Sequence, residues 1–201
     1  LVVDPTGNFP INDDWAYAHN VKVLHEDKIV YFSYWPAMTL YAQTLWGVLF
    51  CKFFGFSFTV LRCATLVLAF GTSLAFFELL KRQMQSHMTA FFLTLILIGS
   101  PLFVAQSFTF MTEIYYLFFA CMSFIFYSSF YKNQKLIYLA LAVIFTVSTI
   151  WVRQTGLIFP LGFGLAYLLS RKFSLKTVVI GVIPPLVGIL SLVVYKNWRL
   201  S

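Results

Sequence analysis

Residues 57–80 read SFTVLRCATLVLAFGTSLAFFELL, and that run decides the kind of protein this is. A helix needs about 20 mostly apolar residues to cross a bilayer, and this stretch supplies them. Glu78 and Arg82 close it at i,i+4 spacing, as a helix reaching water would. The rest of the chain repeats the pattern. Of 201 residues, 60% are hydrophobic, 20% aromatic and 10% charged, and the mean hydropathy is +0.83. A soluble domain carries roughly 25% charged residues, so an integral membrane protein is the class that fits. The net charge of +7 does not point to nucleic acid, because the cations punctuate apolar runs, as cytoplasmic loops do. Cys51, Cys63 and Cys121 lie inside apolar runs and read as small hydrophobes.

Working outward, a long apolar stretch runs from Met88 to Tyr131, interrupted by Gly99-Ser100-Pro101 and Thr112-Glu113. It is too long for one helix. It predicts a hairpin of residues 88–108, kinked at Pro101, and a second helix after a turn at 110–113. Residues 136–152 and 155–170 predict another pair hinged at Arg153-Gln154. Residues 177–195 predict a last helix bent by Pro184-Pro185, after which the chain leaves the membrane. The fold class expected is all-α, a polytopic transmembrane bundle in one domain spanning residues 1–201. Residues 4–56 form a first outer loop with membrane-surface helices. The abrupt opening on Leu1-Val2-Val3-Asp4-Pro5 reads as part of a longer protein.

Lys81, Arg82, Lys132, Lys135, Arg171, Lys172 and Lys176 occupy three loops that the positive-inside rule assigns to the cytoplasm. Asp4, Asp13, Asp14, Glu26, Asp27 and Glu113 fall on the other side. If residues 36–54 and 57–80 both crossed, Lys81-Arg82 would lie outside. Residues 36–54 are therefore expected to lie along the outer interface or to dip in and return, with Trp35, Tyr41, Gln43 and Trp46 at headgroup level.

The same count places Asp13, Asp14, Glu113 and Arg153 on one rim. Asn12 reads as the cap of a helix running to about His25, and Tyr17, Val21 and Leu24 share a face suited to a membrane surface. Each charge also has a plain structural role open to it. The aspartates suit capping and dipole compensation, Glu113 an exposed turn, and Arg153 a snorkelling cation. Together they suit a reaction at a lipid phosphate. An arginine binds the phosphate and a carboxylate deprotonates an acceptor hydroxyl.

Asp13-Asp14-Trp15-Ala16-Tyr17-Ala18 resembles the D-[DE]-x-x-Y-A stretch in the first outer loop of GT-C glycosyltransferases. The nearest groups are the protein mannosyltransferases, aminoarabinose transferases and RgtA-like enzymes. Tyr34-Trp35-Pro36, Phe54-Gly55-Phe56 before Leu61-Arg62, and Ser100-Pro101 before Glu113 follow in the family's order, so the resemblance covers essentially the whole chain. It implies inverting transfer of a sugar from a polyprenyl-phosphate donor to a hydroxyl on an acceptor lipid, glycan or protein. It places that reaction at the outer face of a bacterial plasma membrane.

The resemblance places the base at Asp13, with Asp14 and Glu113 as the further acids. Arg153 and Arg62 become the phosphate ligands, and Tyr17 and Gln154 further substrate contacts. Some relatives carry a lysine before the loop proline where this chain has Tyr34-Trp35, which shifts the phosphate onto the arginines. No cofactor is expected, and the question of a divalent metal stays open. A transporter or flippase for a lipid-linked or anionic substrate is the alternative, although it would place charges near the bilayer midplane.

Overall fold

The structure, a computed structural model, describes residues 7–30, 37–84 and 86–200. Asp4 and the Tyr34-Trp35-Pro36 motif lie outside the described residues. What is described is helical: α1 (Asp14–Glu26), α2 (Tyr41–Phe54), α3 (Phe58–Gln83), α4 (His87–Gly99), α5 (Pro101–Ser107), α6 (Thr112–Asn133), α7 (Leu136–Ile150), a 3₁₀ turn (Gln154–Leu157), α8 (Ile158–Ser170) and α9 (Leu175–Leu200).

Among the described residues α3, α6 and the Leu175–Trp198 part of α9 are long and apolar enough to cross a membrane. The α4–α5 pair meets the same test as one broken span, bent by 63°. Pro101 is the cause. It holds Ser100 in an extended conformation and opens α5 from its first position. The expected kink is thus a full break. The last helix also departs from expectation, because α9 runs through Pro184-Pro185 and on to Leu200 without ending at Tyr195.

The bundle has two chemically distinct ends. At one, Arg82 closes α3 by donating to Ser129 Oγ (2.6 Å) and to the Ile125 carbonyl (3.2 Å) of α6. Arg171 donates to the Tyr131 carbonyl (3.0 Å), and the Tyr167 hydroxyl to Gln134 Oε1 (2.8 Å). This is the basic end. The opposite end gathers the start of α3, the start of α6 and the close of α7. Between the ends, hydroxyls join helices in place of a hydrophobic drive that lipid cannot supply. Ser123 Oγ and Thr146 Oγ1 are 2.6 Å apart, and Thr65 Oγ1 lies 3.0 Å from the Tyr115 hydroxyl.

α2 lies across the second end. At 1.5 Å per residue its 14 residues reach about 21 Å, short of the ~30 Å hydrocarbon core. Its entrance pairs with the close of α7. Thr39 Oγ1 donates to the Ile150 carbonyl (2.7 Å), Leu40 N to Val152 O (3.3 Å), and Ala42 N to Trp151 O (3.2 Å). Midway, Gln43 Nε2 donates to Phe110 O (2.9 Å) and Trp46 Nε1 to Ala64 O (3.0 Å). It ends at Gly55, whose φ of 75° turns the chain into the Ser57 cap of α3. Both ends of α2 therefore sit at the same end of the bundle.

α1 packs on α2. Tyr17 and Val21 are buried in the core cluster that α2, α3 and α6 share. Gly47 makes room for them: a Cβ there would stand 2.8 Å from Val21 Cγ2 and 2.9 Å from Phe110 Cζ. The apolar face read as membrane-seeking is covered by protein instead.

Candidate functional site

The candidate site is built from three segments that meet at the end covered by α2. The first is the start of α1. Asn12 has a left-handed φ of 57°, so the cap position falls to Asp13. Asp13 makes no side-chain capping bond and is exposed. That removes the capping explanation for this carboxylate and leaves it turned to the surface.

Asp14 is different. It is fully buried, and its Oδ1 accepts from Ile11 N (2.7 Å) while Oδ2 is buried without a partner. Burial pushes its carboxyl above the ordinary 3.8. Backbone N–H groups of Ile11 and Phe110 and the charge of Arg62 oppose that rise without cancelling it. A group held this way anchors the loop and is closed off from the surface.

Arg62 lies beneath the surface as well. Its side chain is 1% exposed, donates to the carbonyls of Gly7 (3.0 Å) and Phe9, and stacks on the Phe9 ring at 5.1 Å. Placed there, it pins the chain before α1 to the start of α3, withdrawn from the surface. Where the sequence suggests a phosphate ligand, the structure shows Arg62 buried and committed to the Gly7 and Phe9 carbonyls.

The second segment is the start of α6, and the third follows α7. Glu113 sits in the first turn of α6, where the helix dipole favours an anion. Arg153 stands just past α7. Its Nε donates to Thr112 Oγ1 (2.7 Å) and its Nη2 to Glu113 Oε1. Glu113 and Arg153 are each about a third exposed. Arg153 Nη1 has no partner among the described residues, and neither has Glu113 Oε2. Gln154 Nε2 donates to the Ala37 carbonyl (2.8 Å), tying this segment to the approach to α2.

Tyr17 joins the three segments. Its hydroxyl donates to Met38 Sδ (3.7 Å), the sulfur that Thr112 Oγ1 also approaches at 3.6 Å. Burial raises the Tyr17 phenol above 10.0, the charges of Asp13 and Glu113 raise it further, and Arg153 lowers it. One hydroxyl thus feels an acid from α1, an acid from α6 and the arginine after α7. The sequence does not single out Thr112 or Met38. Thr112 was visible only as the neighbour of Glu113, and Met38 carried no signal. Among the described residues no three His, Cys, Asp or Glu side chains come together as a metal would need.

Residues 36–198 match the family described as dolichyl-phosphate-mannose-protein mannosyltransferase. The chain belongs to this family. No curated protein and no solved structure matches it. Membership makes it a membrane glycosyltransferase of the GT-C type, consistent with the all-helical bundle. The matched span contains Arg62, Glu113, Arg153 and Gln154. Asp13, Asp14 and Tyr17 precede it and are joined to it by the contacts above.

Proposed function

We propose that this GT-C chain transfers a sugar from a polyprenyl-phosphate donor to an acceptor hydroxyl at the non-cytoplasmic face, with inversion. The observation that carries the reading is the Thr112–Glu113–Arg153 cluster, linked through Met38 to Tyr17 of the helix that the exposed Asp13 opens. The acceptor oxygen attacks the anomeric carbon as its proton passes to Asp13, the exposed carboxylate. The bond from that carbon to the donor phosphate breaks, and the polyprenyl phosphate leaves with its charge facing Arg153 Nη1. Glu113 and Thr112 hold the guanidinium through Nη2 and Nε, which leaves Nη1 for the phosphate. The acceptor is a lipid, glycan or protein.

The face follows from charge. Lys81, Arg82, Lys132, Lys135, Arg171, Lys172 and Lys176 gather at the opposite end, which the positive-inside rule puts in the cytoplasm. A bacterial plasma membrane with the site on its outer side accommodates this arrangement. The test supplies membranes bearing the full-length protein with a radiolabelled polyprenyl-phosphate sugar. Label moving from the lipid fraction to an acceptor supports the proposal, and label remaining on the prenyl lipid overturns it.

A further inference from the structure

Outside the candidate site a cleft of about 540 Å³ runs between α6 and α8. Its walls are aromatic: Phe124, Tyr127 and Tyr131 from α6 face Phe159 and Phe163 from α8. Tyr127 and Phe163 stack at 4.2 Å, and Phe124 meets Phe159 edge-on at 5.7 Å. The floor is open at Gly162, where a Cβ would meet no atom within 4 Å. From residue 158 to residue 166 the cleft follows α8 for about 12 Å at 1.5 Å per residue. That is most of the ~15 Å depth of one leaflet's hydrocarbon.

The cleft reaches the basic end, where Tyr131 lines it. Gln83 lines it, and Arg171 covers its rim, with its guanidinium 4.8 Å over the Tyr131 ring and 5.9 Å over that of Tyr167. Arg171 uses Nη2 on the Tyr131 carbonyl, while Nε and Nη1 have no partner among the described residues. Lys132 and Lys172 follow these two rim residues in the chain, and both are exposed. An apolar slot one leaflet deep, topped by cations, is complementary to a lipid with acyl chains and an anionic headgroup.

We infer that this cleft binds an anionic phospholipid of the leaflet at the basic end, with an acyl chain against Gly162 and the phosphate at Arg171. A polyprenyl-phosphate donor is the poorer occupant, because its phosphate would lie at the end of the bundle opposite Asp13 and Arg153. The inference stands apart from the sugar chemistry, since it concerns neither end of the candidate site.

Native mass spectrometry of the full-length protein in detergent, with dioleoyl phosphatidylglycerol and dioleoyl phosphatidylcholine added in equal amounts, tests it. The wild type should retain phosphatidylglycerol preferentially. Arg171→Gln should weaken that preference about fivefold, the usual effect of one surface cation on an anionic lipid. Gly162→Phe, which fills open space, should lower retention of the tightly held lipid. Equal retention of the two lipids by the wild type overturns the inference. So does a preference that survives both substitutions, or displacement of phosphatidylglycerol by an equal amount of farnesyl phosphate.

Discussion

Replacing Arg153 by alanine separates the two jobs the structure gives it. The guanidinium donates to Thr112 Oγ1 at 2.7 Å and pairs with Glu113, both groups being about a third exposed. A hydrogen bond from a charged donor contributes about 1.5 kcal/mol or more. A partly exposed ion pair adds about 0.5 kcal/mol after solvent screening. Arg153→Ala should therefore cost about 2 kcal/mol of stability, and it leaves Glu113 with neither carboxylate oxygen partnered. Adding Glu113→Gln should then recover about 1 kcal/mol, because the stranded charge is gone. In the transfer assay Arg153→Ala should raise the KM for the lipid donor roughly 10- to 100-fold, as expected on losing a charge-assisted phosphate contact. Thermal melts in detergent and donor-concentration series measure the two effects. Should Glu113→Gln deepen the loss, or KM stay unchanged, the paired and phosphate-facing arginine is the wrong reading.

Cysteines placed at positions 113 and 153 should label from one side of the membrane and one at position 132 from the other. Labelling of 113 and 132 from the same side would break the two-ended arrangement. Gly164→Ala should destabilise by about 1–3 kcal/mol, since its Cβ would stand 2.4 Å from the Gly181 carbonyl, while Gly162→Ala in open space should be neutral or mildly stabilising. Equal melting points for the two variants would remove the close α8–α9 contact. Asp14 titrates above 3.8 in the folded state, so its charge costs stability at neutral pH, and that cost is relieved as pH falls through the raised value. Across roughly pH 7 to 4, wild type should gain stability relative to Asp14→Asn. Melting curves that stay parallel would show that the carboxyl is not strained by burial.

The sequence made the topology legible wherever loop charge and helix length constrain each other. The parity of the basic loops implies that residues 36–54 stay on one side, and α2 is tied at its entrance to the close of α7 and leads through Gly55 into the start of α3. Arg153 was legible as a hinge because a cation and an amide interrupt apolar runs there. Side-chain burial was not legible. Asp13 and Asp14 look alike in the chain, yet one is exposed and the other lies buried in the core over Arg62. Arg62 reads as a phosphate ligand because the family resemblance, with no lysine before the loop proline, shifts the phosphate onto the arginines. Its carbonyl partners at Gly7 and Phe9 lie more than 50 residues away in sequence, and no local pattern announces them. The face of α1 misled for a related reason. An apolar stripe is the same whether lipid or Gly47 of α2 receives it.

The chemistry rests on Asp13, and Asp13→Asn in the full-length protein tests it most directly. Asparagine has the same shape, and no capping bond is lost because Asp13 makes none. Removing a general base typically lowers the rate about 10²–10⁴-fold. The account predicts a fall of that size in label transfer from the polyprenyl-phosphate sugar, with expression, melting temperature and donor KM unchanged. Transfer by Asp13→Asn at the wild-type rate would contradict it.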